Sequence, residues 1–176
     1  TRNRSSAASD VYKRQVVIKD VNDDEVIDII NHMKNFKSEI RFIEYMDVGE
    51  SNKWDPSKVV SSESLLESIN EHYSLKQMKT ETSSTAKKWH IKDSNSSIGL
   101  ISSITQPFCS SCNRARLSVD GKLFTCLFAS NGFDIKSVIR SDDYEEKLLE
   151  FFKKIWMERS DPVSYTHLTL PTIGYV

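Results

Sequence analysis

The chain has 176 residues, and its 24 Lys and Arg against 25 Asp and Glu give a formal net charge of −1. This balance argues against a polybasic surface for nucleic acid or membrane binding. No apolar run approaches the roughly 18 residues of a membrane span, and the first residues lack the apolar core of a signal peptide. We therefore expect a cytoplasmic protein with no membrane and no nucleic-acid partner. The cysteine count of three is odd, which argues against a disulfide framework and leaves metal binding, catalysis or burial.

The two ends of the chain differ in pattern from its middle. Residues 1–15 (TRNRSSAASDVYKRQ) and 162–176 (PVSYTHLTLPTIGYV) show no helical or strand periodicity that continues into the rest. We expect both tracts to be disordered, and we hypothesise that both are non-native read-through. They are therefore excluded from the fold prediction.

Residues 16–60 have the pattern of a βαβ unit. A short apolar run at Val16–Ile18 predicts a strand, and apolar residues spaced three and four apart predict a helix from an N-cap at Asn22 to Phe36. A second strand is predicted at Ile40–Met46. Strand, helix and strand with short connections imply a parallel sheet. The polar loop at 47–56 follows the second strand, at the end where parallel α/β proteins build their sites.

Residues 61–161 have a different, α+β pattern, so we place a domain boundary near Ser61. The clearest local signal is a β-hairpin over Arg116–Phe128, which turns at Asp120-Gly121 and suggests a type I′ turn. The other predicted elements are helices at 61–73, 134–140 and 142–157 and strands at 89–91 and 98–104.

All three cysteines lie in one short segment, in the arrangement Cys109-x2-Cys112-x13-Cys126. The CxxC pair places two thiolates on one loop, and the hairpin would bring Cys126 back beside them. A redox pair is disfavoured because such a pair normally opens a helix. Structural zinc stays open, with the distant His90 as a fourth ligand. A [4Fe–4S] cluster is favoured, since three cysteines leave one iron for an outside donor.

Two arginines follow the CxxC pair directly. Arg114 and Arg116 would project from the same face of an extended segment, near the predicted metal. Guanidinium groups suit phosphates and purine acceptors, although compensation of an anionic cluster would explain the same residues.

The stretches 40–54 (IRFIEYMDVGESNKW) and 99–128 (GLISSITQPFCSSCNRARLSVDGKLFTCLF) together resemble the GTP 3′,8-cyclase (MoaA) family of radical S-adenosylmethionine enzymes. The resemblance implies an α/β fold in which 16–60 end an incomplete TIM-type barrel and 61–161 form an auxiliary-cluster domain. In that family a first [4Fe–4S] cluster cleaves S-adenosylmethionine. GTP becomes (8S)-3′,8-cyclo-7,8-dihydroguanosine 5′-triphosphate, in the first step of molybdenum cofactor biosynthesis.

The resemblance also implies roles for individual residues. The three cysteines match the ligands of the family's second [4Fe–4S] cluster, and Arg114 and Arg116 match arginines of its GTP site. Arg41 matches a strand arginine near the triphosphate or S-adenosylmethionine. The alternative for Arg41 is a salt bridge with Glu44 or with a neighbouring strand.

The family's Cys-x3-Cys-x2-Cys motif for the first cluster is absent from these 176 residues. We therefore expect a C-terminal fragment that is inactive alone, with S-adenosylmethionine bound through the missing N-terminal part. The product would pass to cyclic pyranopterin monophosphate synthase (MoaC), and homodimerisation stays open. The alternatives are a zinc-binding interaction module and the auxiliary-cluster domain of another radical enzyme.

Overall fold

The computed structural model describes residues 11–46, 54–127, 129 and 131–159. The chain divides into two compact units, Thr1–Phe108 and Cys109–Val176. The boundary predicted near Ser61 lies inside the first of these units. Most of the predicted loop at 47–56, most of the two terminal tracts and the predicted end of the hairpin at Phe128 lie outside the described residues.

The first unit is built on a five-stranded mixed sheet in the order β1-β2-β5-β4-β3. Strands β1, β2 and β5 are parallel, whereas β4 is antiparallel to β5 and β3 is antiparallel to β4. The α/β class predicted from sequence is thereby confirmed, although the sheet as a whole is mixed and only β1, β2 and β5 are parallel. Its elements are β1 (Val11–Val17), α1 (Val26–Met33), β2 (Ser38–Glu44), α2 (Ser62–His72), β3 (Leu75–Gln77), β4 (Lys87–Ile91) and β5 (Ser97–Ile101).

One face of this sheet forms the core. Burial alternates along β2, so that Ile40 and Phe42 lie on the buried face. The parallel register places them beside Ile98 and Leu100 of β5. Both helices pack their apolar stripes against this face. The core cluster comprises Val17, Val26, Ile30, Ile40, Phe42, Leu65, Ile69, Trp89, Ile91, Ile98 and Leu100.

The N-terminal elements differ from the prediction at their ends. Strand β1 begins at Val11 rather than Val16, because backbone pairing with β2 extends it through polar residues that show no apolar pattern. Helix α1 begins at Val26 and not after Asn22. The Asn22 side chain accepts from the Ile18 N–H at 2.8 Å and donates to the Val16 carbonyl at 3.0 Å. It therefore secures the end of β1 instead of capping the helix.

The second unit has a three-stranded antiparallel sheet, β6-β7-β8, and two helices. Its elements are β6 (Arg116–Leu117), β7 (Lys122–Phe124), β8 (Phe133–Asp134), α3 (Ile135–Ile139) and α4 (Tyr144–Met157). Within the described ranges, no helix is both long and apolar enough to span a bilayer.

The predicted hairpin is confirmed, but its turn is not type I′. Within the described turn at 118–121, Gly121 alone has positive φ, at 82°, whereas type I′ requires positive φ at two central residues. The Gly121 N–H donates to the Ser118 carbonyl at 3.0 Å, and the Ser118 N–H donates to the Lys122 carbonyl at 2.9 Å. These contacts describe a three-residue loop that ends in a left-handed glycine.

Candidate functional site

The CxxC segment opens the second unit as a short turn. Cys109–Ser111 form one turn of 3-10 helix, and the Cys112 N–H donates to the Cys109 carbonyl at 3.2 Å. This bond closes the loop and keeps the two cysteines on one turn. Cys109, Cys112 and Cys126 are all partly buried thiols in the described structure.

Arg114 contacts the second of these thiols. Its Nε lies 3.2 Å from the Cys112 Sγ. Partial burial acts to raise the pKa of the Cys112 thiol, but hydrogen bonds from the Arg114 backbone and from the Arg159 and Arg114 side chains outweigh it and lower that pKa. The surroundings of Cys112 therefore favour a thiolate, which is the form that binds metals.

Arg159, which follows α4, was not singled out by the sequence. Its Nη1 donates to the Cys112 carbonyl and its Nη2 to the Thr125 carbonyl, the latter at 2.9 Å. A single guanidinium thus joins the CxxC turn to the residue that precedes Cys126. A lone arginine after a helix has no distinctive spacing, so no sequence signal pointed to it.

Cys126 follows the hairpin directly. Phe124 of β7 pairs with Arg116 of β6, and Cys126 comes two residues after Phe124. Within the described ranges, no three His, Cys, Asp or Glu side chains are grouped to hold one metal ion. A cluster with one cysteine for each of several irons does not require its ligands to converge on a single point.

The donor set fits an iron–sulfur cluster on its chemistry. All three donors are soft thiols, partly buried, in a single compact unit, and one has cationic groups that favour the thiolate. His90, the residue considered as a fourth zinc ligand, is exposed on β4 of the first unit, where it pairs with Ser97 of β5 and Lys76 of β3.

Arg41 lies on the sheet face opposite the core. It forms a salt bridge with Glu39 of its own strand, and Lys88 of β4 bonds the other oxygen of that carboxylate at 2.7 Å. Burial acts to raise the pKa of Glu39, but hydrogen bonds from Arg41 and Lys88 lower it. Gly99 allows this arrangement, since a Cβ there would lie 3.2 Å from the Arg41 Cγ. Arg14 is the β1 neighbour of Arg41 in the register.

A salt bridge between Arg41 and Glu44 was one alternative expected from the sequence. The Glu44 carboxylate instead accepts hydrogen bonds from backbone and hydroxyl groups. That carboxylate is 1% exposed and accepts from the Ser62 N–H at 2.8 Å, where α2 begins. It also accepts from the Ile104 N–H at 2.8 Å, and from the Thr105 N–H and hydroxyl at 2.9 and 2.6 Å. Glu44 therefore secures the loop that follows β5.

These features define a mixed α/β protein with a separate, cysteine-bearing hairpin unit. A family model described as Molybdenum Cofactor Synthesis C matches residues 38–165, and the chain belongs to this family. The chain is 42% identical over 161 residues to a GTP 3′,8-cyclase of Staphylococcus epidermidis (strain ATCC 35984), and this alignment covers 90% of the chain and 47% of that protein. It is 43% identical over 162 residues to a GTP 3′,8-cyclase of Staphylococcus aureus (strain JH9), and this alignment covers 91% of the chain and 48% of that protein.

The family resemblance inferred from the sequence is thus confirmed. The chain spans about half the length of the curated relatives it matches.

Proposed function

We propose that this chain is the part of a GTP 3′,8-cyclase that binds the second [4Fe–4S] cluster and one side of the GTP site. Support comes from its 42–43% identity to proteins of that name. The structural observation that supports it most directly is the contact of the Arg114 Nε with the Cys112 Sγ at 3.2 Å. In that contact the thiol, a group that can bind a metal, lies beside a guanidinium, a group that recognises anions.

The cluster ligands would be Cys109, Cys112 and Cys126. When bound, such a cluster supplies an iron with an open position, which can accept a nitrogen or oxygen donor from a substrate. The chain's own contribution is to hold the thiols partly buried and, at Cys112, to favour the charged form through Arg114 and Arg159.

Arg114 and Arg116 would recognise the nucleotide. Arg116 is exposed at the start of β6, two residues from Arg114, and is therefore available to a ligand from solvent. A guanidinium can donate two parallel hydrogen bonds to a phosphate or to purine acceptors, which an ammonium cannot do. The radical attack of the ribose on the guanine ring requires a fixed nucleotide, and these residues would provide that positioning.

The cationic sheet face of the first unit would lie near the triphosphate or S-adenosylmethionine. Arg41 and Lys88 both bond the carboxylate of Glu39, and Arg14 is the register neighbour of Arg41, so basic residues of three strands lie on this face. Basic side chains grouped in this way are suited to a polyphosphate or to the carboxylate of an amino acid. On this proposal the parallel strands β1 and β2 would belong to the end of a TIM-type barrel, and the unit that begins at Cys109 would hold the cluster.

The remainder of the reaction would depend on other chains or segments. These 176 residues contain three cysteines, and the proposed second cluster uses all of them. The S-adenosylmethionine-cleaving cluster therefore needs cysteines from outside the sequence, and we expect no turnover from this chain by itself. The cyclised nucleotide would pass to cyclic pyranopterin monophosphate synthase, and the complete enzyme would act in the cytoplasm.

Anaerobic reconstitution of the chain, followed by iron, sulfide and zinc analysis, tests this proposal. We expect about four irons and four sulfides per chain. Cys126→Ser should lose this stoichiometry, whereas Ser111→Ala, a control between the other two cysteines, should retain it. One tightly bound zinc in place of iron would contradict the cluster and favour the zinc module.

The nucleotide site is tested by GTP binding to the reconstituted chain. Arg114→Gln should weaken binding by about ten- to a hundredfold, since hydrogen bonds to charged groups contribute roughly 1.5–3 kcal/mol. Arg140→Gln removes an exposed arginine at the end of α3 and should leave the affinity unchanged. Equal affinities for both variants would contradict a role of Arg114 in GTP recognition.

A further inference from the structure

Arg159 joins two segments that are distant in sequence. Its two terminal nitrogens donate to the carbonyls of Cys112 and Thr125, which precede it by 47 and 34 residues. The first carbonyl belongs to a proposed cluster ligand, and the second belongs to the residue before another. A planar guanidinium can bond two carbonyls at once in a fixed geometry, whereas an ammonium is a point donor on a flexible stem.

The guanidinium itself is held in place by α4. Its Cζ lies 5.1 Å from the centre of the Trp156 ring, a distance at which a cation is attracted to the ring face. Ile155, the residue before Trp156, is 6% exposed and secures the end of that helix. Arg159 is therefore presented to the two carbonyls by a packed element.

The regular sheet beside the segments that Arg159 joins is short within the described residues. Strand β6 has two residues, and its pairing with β7 comprises two residue pairs. Thr125 is 2% exposed, so its carbonyl lies where water cannot readily replace a lost donor. Removal of the guanidinium should thus loosen the spacing between the CxxC turn and Cys126.

We propose that Arg159 is a positioning residue that fixes the CxxC turn against the segment of Cys126 and so presets the spacing of the three thiols. Its importance for the cluster rests on the proposed function, but its action on the polypeptide does not. The two claims therefore need separate measurements, one on the metal-free chain and one on the reconstituted chain.

Hydrogen exchange of the metal-free 176-residue chain tests the action on the polypeptide. In Arg159→Gln, amides of peptides spanning 109–127 should exchange roughly tenfold faster, the loss expected for a charge-assisted hydrogen bond. Arg159→Lys keeps the positive charge but loses the planar pair of N–H donors, so its amides in 109–127 should exchange as fast as those of Arg159→Gln. Arg140→Gln is the matched control and should exchange as the unaltered chain does. Unaltered exchange in Arg159→Gln, or full protection in Arg159→Lys, would overturn the proposal.

A second variant covers the case in which Arg159→Gln does not fold. Trp156→Leu keeps the guanidinium but removes the ring beneath it, an interaction of roughly 0.5–1 kcal/mol at an exposed site. We expect exchange in 109–127 to rise about two- to fivefold, in line with that energy. Unchanged exchange in Trp156→Leu would then overturn the proposal.

Iron release from the reconstituted chain tests the consequence for the cluster. Arg159→Gln and Arg159→Lys should both lose iron to a chelator faster than Arg140→Gln does. If the unaltered chain binds no iron, the proposed function fails while the exchange result still decides the role of Arg159. If exchange responds but iron release does not, the cluster part of the proposal is wrong.

Discussion

The two compact units are stabilised in different ways. The first buries an eleven-residue apolar cluster between one sheet face and two helices. Among the described residues of the second, the buried apolar side chains are Leu123, Ile135 and Ile155, whereas Leu149, Phe152 and Trp156 on α4 are exposed. Burial of apolar area is the main favourable term in folding. The described part of the second unit therefore gains less from apolar burial and depends more on turns, single hydrogen bonds and, on our proposal, a bound cluster.

Among the substitutions that compare the two units, the largest loss of stability should come from one in the core of the first unit. Phe42 of β2 is 0% exposed, so Phe42→Ala should lower the free energy of unfolding of this unit by about 3–5 kcal/mol. Hydrogen exchange of β2 and β5 would measure the loss, and exchange of 109–127 in the second unit should change little.

Phe36→Ala is the matched control, because Phe36 is 55% exposed after α1. It should cost less than about 1 kcal/mol. Equal losses in both units from Phe42→Ala would show that they unfold as one, and the contrast between them would then be wrong.

The first unit was largely predictable because its signals are local apolar patterns. A run of strand-forming residues over 40–46 located β2, and spacings of three and four located α1 and α2. Its misses came from interactions without such a pattern. Val11–Gln15 joins the sheet through backbone pairing with β2, and β3 at Leu75–Gln77 is too short for a pattern to appear.

A smaller, pH-dependent effect should come from Glu44. Burial acts to raise the pKa of this carboxyl, but hydrogen bonds from Thr105, Ser62 and Ile104 outweigh it and lower that pKa. A pKa lowered by folding adds stability above the unfolded value of about 4.3, and this stability is lost as the pH falls through the folded pKa. At neutral pH, Glu44→Gln should cost roughly 1–3 kcal/mol, since an amide cannot accept from all of these donors.

Denaturant unfolding of the first unit between pH 3 and 7 would measure this effect. Glu44→Gln should flatten the acid limb of the curve, because the titrating group is gone. Glu67→Gln, an exposed substitution on α2, should leave both the stability at pH 7 and the acid limb unchanged. An acid limb of the same slope in Glu44→Gln would show that other carboxyls are responsible for it.

The candidate site was predictable where its residues are adjacent in sequence and not where they meet through folding. The CxxC spacing and the Arg-x-Arg pair identified Cys112 and Arg114, which the structure brings into contact. Arg159 lies 47 residues from the carbonyl it bonds. Arg41 was predicted to lie near the triphosphate or S-adenosylmethionine, with a salt bridge to Glu44 or a neighbouring strand as the alternative. The sequence did not point to its salt bridge with Glu39, two residues away on the same face.

The smallest effect should come from the hairpin turn of the second unit, where one residue rather than a core sets the geometry. Gly121→Ala places a Cβ at φ 82° and 2.8 Å from the Lys136 Cβ, and should cost about 1–2 kcal/mol. Asp120→Ala is the control; its ion pair with Lys122 is exposed at 3.7 Å and should contribute less than about 0.5 kcal/mol. Hydrogen exchange of 116–127 would separate the two variants. If Gly121→Ala raised exchange as little as Asp120→Ala does, the turn would contribute little to the stability of this unit. That stability would then have to come from the contacts of α3 and α4.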